Sequence, residues 1–241
     1  MAQWLDTVFY GFDYAVLSAI HAFALATGGI FDWFFTAVTH LADDALGMIA
    51  LGLLLLLFKR TRKTGAAVLG GIILGALITN VTVKPLVFRA RPYTHEAFRS
   101  WWEAMGAHVE SDRSFPSGHT TAAMAAMMGI FLTNRKKYSW TALLFALLMG
   151  FTRLYLVVHY PTDVLAGLIA GAIGGALAYV AVILIYRFLE KHRDRGFCKL
   201  VLEADPVLCL VRRVRGKRHA DAARAEEQVG EGAPASEKSE E

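Results

Sequence analysis

Apolar residues run in blocks along this chain instead of alternating with polar ones, and the blocks approach the roughly 17 to 25 residues that cross a bilayer as a helix. Such blocks lie at about 45–58, 65–83, 117–132, 139–158 and 162–188, and each predicts a transmembrane helix. A further block at 8–25 carries Asp13 and His21, and a short aromatic stretch at 30–38 follows Gly28 and Gly29. With 8–25 crossing fully, the count is six, and the expected fold is an all-α polytopic membrane bundle of about six transmembrane helices. Gly167, Gly171 and Gly175 recur every four residues in the last block, the small-residue spacing that lets membrane helices approach closely.

Composition agrees with the pattern. The 241 residues are 55% hydrophobic and 19% charged, more apolar than a soluble core of this length needs. A net charge of +4 could point to nucleic acid, but the basic residues sit at the ends of apolar blocks, where membrane orientation accounts for them, so no nucleic-acid partner is expected. Residues 59–63, 135–137 and 187–195 fall on one side of the alternating connections, which the excess of Lys and Arg assigns to the cytoplasm together with both termini. The polar stretch 84–116 and His159 then face outward.

The opening residues lack the basic segment of a cleaved signal peptide, so none is expected. Cys198 and Cys209 lie in a basic segment beyond the last apolar block, and no structural disulfide is expected. The chain divides into a membrane domain at 1–195, a basic juxtamembrane segment at 196–219 and an acidic tail at 220–241 that is too poor in large apolar residues to fold alone. Basic residues within 211–218 would gain roughly 1 kcal/mol each beside anionic lipid, so surface association is expected there.

The outward polar positions carry the candidate chemistry. Lys84 is followed by Arg91 and Pro92; Pro116, Ser117, Gly118 and His119 open the next apolar block; and Arg153, His159 and Asp163 bridge the last two. Three cations, two histidines, one carboxylate and a glycine at a helix start suit the binding and cleavage of a phosphate ester or diphosphate. Arg91 and Arg153 offer planar, bidentate donors and Lys84 a compact charge. Ser117 and Gly118 at a helix N-terminus favour an anion. Asp163, four residues after His159, is placed to accept its N–H and raise its nucleophilicity, which leaves His119 as the general acid.

Other polar residues read more plainly. Arg89 and Arg99 are expected to snorkel, His95 and His108 to be solvated, and Asp43 and Asp44 to cap a helix. His, Cys and carboxylate side chains do not converge as a metal site requires, so neither metal nor cofactor is expected. A lipid transporter would want ionisable residues near the midplane and repeat-related broken helices, whereas these clusters cap helices at one face. Hydrolysis is the better reading.

In this order, Lys84-x6-Arg91-Pro92, Pro116-Ser117-Gly118-His119 and Arg153-x5-His159-x3-Asp163 resemble the signatures of the type 2 phosphatidic acid phosphatase (PAP2) superfamily. One departure is Thr152 where the third signature commonly has Ser. The resemblance implies a six-helix, metal-independent lipid phosphatase. In it His159 forms a phosphohistidine, Asp163 supports it, His119 protonates the leaving group, and Lys84, Arg91, Ser117, Gly118 and Arg153 bind phosphoryl oxygens. It implies substrates such as undecaprenyl diphosphate, phosphatidylglycerol phosphate or lipid A phosphates; the single-domain size and outward site resemble the bacterial undecaprenyl-diphosphate phosphatases.

Overall fold

The computed structural model describes residues 1–40, 45–106, 109–205 and 215. Asp43, Asp44, His108, Cys209, nearly all of 211–218 and the acidic tail lie outside them. Among the described residues the chain is helical, with no strand. Its helices are α1 (Ala2–Val8), α2 (Tyr10–Ala26), α3 (Asp32–His40), α4 (Leu46–Leu56), α5 (Arg62–Ala76), α6 (Lys84–Val87), α7 (Glu96–Met105), α8 (Gly118–Thr133), α9 (Lys136–Ser139), α10 (Thr141–Tyr155), α11 (Pro161–Lys191) and α12 (Gly196–Glu203).

The centre of the bundle is α5, α8 and α11, and glycine lets their backbones touch. A Cβ added to Gly167 would stand 2.8 Å from the Ser117 carbonyl oxygen, one on Gly171 2.5 Å from that of Thr121, and one on Gly175 2.7 Å from that of Ala125. The four-residue glycine repeat on α11 thus meets a four-residue row of carbonyls on α8, the close packing that its spacing predicts. Gly71 of α5 meets the same Ala125 carbonyl, its added Cβ at 2.7 Å. Around this centre α4 and α10 enclose a core of Met48, Val68, Ile72, Met127 and Met149, while α2 and α3 pack on α10.

Two helical stretches, Arg62–Thr94 and Pro161–Lys191, are long and apolar enough to cross a bilayer by themselves, and α1 with α2, bent by 68°, would make a third. The helices α4, α8 and α10, with 11, 16 and 15 residues, are shorter than a span. The six crossings expected from the sequence therefore depend on these shorter helices crossing as well.

The first long stretch is not uniform. Residues Leu77–Val83 form a π-helical segment, the wider turn that recurs at functional sites. Pro85 has no N–H for the carbonyl four residues back, which helps to widen the ladder just before Lys84. The polar stretch that follows also holds more structure than a loop: α7 is amphipathic, with Phe98 buried beneath it. At the other end, Arg62 donates to the carbonyls of Val201 (2.7 Å) and Ala204 (2.6 Å), which fastens α12 to the bundle. Cys198 is buried in α12 as a free thiol.

Candidate phosphate-binding and catalytic site

The ends of α6, α8, α10 and α11 bring the three signature segments together. Ser117 caps α8, its Oγ accepting from Thr120 N at 3.5 Å and lying 2.9 Å from Thr120 Oγ1. Its backbone N–H donates to the Asp163 carbonyl at 3.0 Å, which ties the start of α8 to the start of α11. A Cβ on Gly118 would stand 3.5 Å from Lys84 Nζ, so the lysine head lies against the helix start as an anion site requires. Pro161 opens α11, and Asp163, in its first turn, accepts from Tyr160 N at 2.9 Å.

His159 is 1% exposed and sits between two polar partners. Arg91 Nη1 lies 3.3 Å from its Nε2 and donates to the Val158 carbonyl at 2.9 Å. On the other side of the ring, Ser114 Oγ lies 3.4 Å from Nδ1 and donates to Asp163 Oδ2 at 2.5 Å. The direct separation from His159 Nδ1 to Asp163 Oδ2 is 3.5 Å, an ion-pair distance longer than an ordinary hydrogen bond. The sequence reading has Asp163 accept from the imidazole; in the structure Asp163 Oδ2 and the fully buried Ser114 hydroxyl lie side by side at nearly equal distances from Nδ1. Burial, reinforced by Arg91 and then Arg153, holds the His159 ring well below its ordinary pKa and therefore neutral at pH 7. His119 is half-buried, and its charge acts on both His159 and Glu110.

Lys84, Arg91 and Arg153 are brought together around two carboxylates that the sequence reading did not single out. Glu110 pairs with Arg153 and with Arg91, the latter at 3.0 Å. Asp112 pairs with Lys84 and Arg91. Burial pushes Glu110 up, but Arg153 and Arg91 outweigh it and hold the carboxyl below its ordinary value. Burial acts on Asp112 in the same sense, and the Lys84 hydrogen bond with the Lys84 and Arg91 charges brings it down to about 2. Arg153 is braced from behind by a hydrogen bond to Thr39 Oγ1 of α3. A cavity of about 420 Å³, lined by Asn80, Lys84, Pro85, Phe88, Asp112 and Arg113, opens beside the lysine.

Two expectations meet different fates. His95 and Arg99 are exposed, as solvated or snorkelling residues are. Arg89 is not: it is 1% exposed, and its Nη1 donates to Asp163 Oδ1 at 2.7 Å. The reading of Arg89 as a snorkelling residue is corrected, because buried carboxylates surround it and take up its donors. The signal was available in Asp13, a carboxylate inside an apolar block that needs a partner. Among the described residues no group of three or more His, Cys, Asp or Glu is arranged to hold a metal ion.

Comparison with known proteins points the same way. Residues 64–187 match the PAP2 superfamily. The undecaprenyl-diphosphatase BcrC of Bacillus subtilis is 30% identical over 182 residues, which cover 74% of this chain and 88% of that protein. A lipid A 4′-phosphatase of Porphyromonas gingivalis is 29% identical over 132 residues, 53% of this chain and 56% of the other, so that the chain spans little more than half of that relative. The crystal structure of a transmembrane PAP2 type phosphatidylglycerolphosphate phosphatase from Bacillus subtilis superposes with a TM-score of 0.50 at 29% identity, covering 68% of this chain and 84% of that one.

Proposed function

Because this chain belongs to the PAP2 superfamily, we propose that it hydrolyses undecaprenyl diphosphate to undecaprenyl phosphate, with His159 as the nucleophile. That it is a membrane lipid phosphatase follows from the family and its relatives. The choice of lipid rests on the undecaprenyl-diphosphatase that matches along 88% of its length.

The observation that carries the nucleophile is the pair of neighbours on the His159 ring. An arginine N–H only donates, so Nε2, 3.3 Å from Arg91 Nη1, presents its lone pair. The ring proton then sits on Nδ1, facing Ser114, which passes its own hydrogen to Asp163. The result is a neutral imidazole whose Nε2 lone pair faces Arg91 within the group of cations.

In this reading Nε2 attacks the terminal phosphorus while its bond to the bridging oxygen breaks. His119 gives its proton to that oxygen, and undecaprenyl phosphate leaves. His119 next takes a proton from water, whose oxygen attacks the phosphohistidine; the N–P bond breaks, phosphate departs and His159 returns neutral. Lys84, Arg91 and Arg153 offset the charge that builds on the equatorial oxygens, and the start of α8 at Gly118 adds backbone donors. The site faces the outer side of the membrane and both termini the cytoplasm, as supported by the basic clusters at 59–63 and 135–137.

A phosphatidylglycerol phosphate phosphatase is the second reading, favoured by the superposed Bacillus subtilis structure. Phosphate release by the purified protein in detergent with chelator decides between them. Turnover of undecaprenyl diphosphate, abolished in His159→Ala, is expected. Preference for phosphatidylglycerol phosphate would replace the lipid assignment, and an active His159→Ala protein would overturn the nucleophile.

A further inference from the structure

Among the described residues the largest fully buried side chain is Arg89, which lies outside the signature positions. Its donors are taken up in three directions. Nε donates to Asp6 Oδ1 at 2.8 Å, Nη2 to Asp13 Oδ2 at 2.7 Å, and Nη1 to both Thr162 Oγ1 and Asp163 Oδ1 at 2.7 Å. Its guanidinium carbon stands 3.9 Å from the centre of the Tyr160 ring. Asp13, itself 1% exposed, also accepts from Thr162 N at 2.9 Å and Thr162 Oγ1 at 2.8 Å.

The backbone is shaped to make this junction. The 68° bend between α1 and α2 turns Asp6 and Asp13 onto the same guanidinium. Phe88 takes a left-handed conformation with φ +53°, unfavourable for a residue with a side chain, and turns the chain sharply after α6, just before Arg89.

We propose that Arg89, held by Asp13, is a positioning residue for hydrolysis: it fixes Asp163 through Oδ1 so that Oδ2 faces both Ser114 and the Nδ1 side of His159. The inference rests on His159 being the nucleophile. Two hydrogen bonds to one oxygen leave a carboxylate free to rotate about its other bond; a third, from a cation to the second oxygen, sets its plane. Asp163 receives Ser114 Oγ and Tyr160 N on Oδ2 and Arg89 on Oδ1. The Arg89 guanidinium also supplies the counter-charge that a fully buried carboxylate requires. Through Asp13 the orientation of the nucleophile depends on α2, which carries none of the signature residues.

A merely structural staple between α2 and α11 would lower stability and leave the chemistry of the folded enzyme unchanged. The test is steady-state kinetics in detergent on Asp13→Asn, Arg89→Gln and Arg89→Lys, with thermal unfolding measured on each and His159→Ala run in parallel. For folded Asp13→Asn and Arg89→Gln, kcat is expected to fall by about 10- to 100-fold, the scale of loss when an outer partner of a metal-bound histidine is removed, with KM within about threefold. Arg89→Lys should recover part of the loss, since an ammonium can still reach Asp163 but cannot hold all four partners.

Folded variants whose kcat stays within about twofold of wild type, or whose rate follows only their melting temperature, would overturn the proposal. So would failure of all three to fold while His159→Ala folds, which assigns the network to structure alone. An active His159→Ala protein would instead remove the parent reading, an outcome that the parallel arm separates from the others.

Discussion

Glu110 reaches Arg91 with one carboxylate oxygen and Arg153 with the other, bridging two cations that come from segments more than sixty residues apart. Asp112 does the same for Lys84 and Arg91. In the proposed reaction a bound phosphoryl group needs those three cations, and two carboxylates left beside it would repel it. Substrate bound there would therefore compete with the protein's own acidic loop. Replacing Glu110 by Gln, or Asp112 by Asn, should tighten inhibition by inorganic phosphate roughly threefold to tenfold, equivalent to about 1 kcal/mol of removed competition. Inhibition constants for the two variants check this. Unchanged values would mean that the carboxylates stay in place beside the bound anion.

Ser114 offers a second test of the geometry. Its hydroxyl stands beside the gap from His159 Nδ1 to Asp163 Oδ2 and within reach of both, and its backbone N–H donates to the Arg89 carbonyl at 3.0 Å. Ser114→Ala keeps the backbone bond and removes the bridge. The expected outcome is a kcat lower by about tenfold, with a stability loss of about 1 to 3 kcal/mol from a buried carboxylate oxygen short of one partner. An unaltered kcat would show that Asp163 acts on His159 directly across the 3.5 Å gap.

What was legible in the sequence follows from the kind of physics each feature rests on. The apolar blocks and the glycine repeat of α11 are local patterns, and the helices and the contact of α11 with α8 follow them. Lys84, Arg91, Arg153, His119, His159 and Asp163 stand out because charge and imidazole at the ends of apolar helices have few bland explanations. Arg89 was misread because its partners Asp13 and Asp163 lie 76 and 74 residues away and no local spacing announces them. Ser114 carries no signal of its own: a serine two residues before Pro116 looks like any loop serine until the fold sets it against His159. The helix α7 was hidden inside a polar stretch, because its aromatic face packs against residues from α2 and α11 and only that face is apolar.

Stability in detergent should depend on pH in two steps. His159 titrates below its ordinary value in the fold, so the unfolded chain takes up a proton first as pH falls; its contribution is complete above about 6.5 and is lost below that. Asp112 lies at about 2 in the fold against 3.8 when free, so its contribution is complete above pH 3.8 and is lost as pH falls toward 2. Melting curves across pH 2 to 8 should show both declines. His159→Gln should flatten the upper step, and Asp112→Asn should shrink the lower one, to which Glu110, also held below its ordinary value, contributes as well. An upper step that survives in His159→Gln would belong to another group.

Helix packing predicts opposite fates for two glycines. At Gly171 an added methyl would stand 2.5 Å from the Thr121 carbonyl oxygen and 2.7 Å from Met124 Cβ. Both atoms are fixed by the backbone of α8, which could not give way without moving the helix that carries Ser117 and His119. At Gly11, on α2, nothing lies within 4 Å of the same methyl. Gly171→Ala should cost about 1 to 3 kcal/mol, whereas Gly11→Ala should be neutral or stabilise by up to about 1 kcal/mol through helix propensity. Thermal unfolding of the two variants checks the contrast. Because α8 and α11 carry His119 and Asp163 at the ends nearest this contact, Gly171→Ala should also lower kcat in the folded protein, and a stable, fully active Gly171→Ala enzyme would show that the helices can separate without disturbing the site.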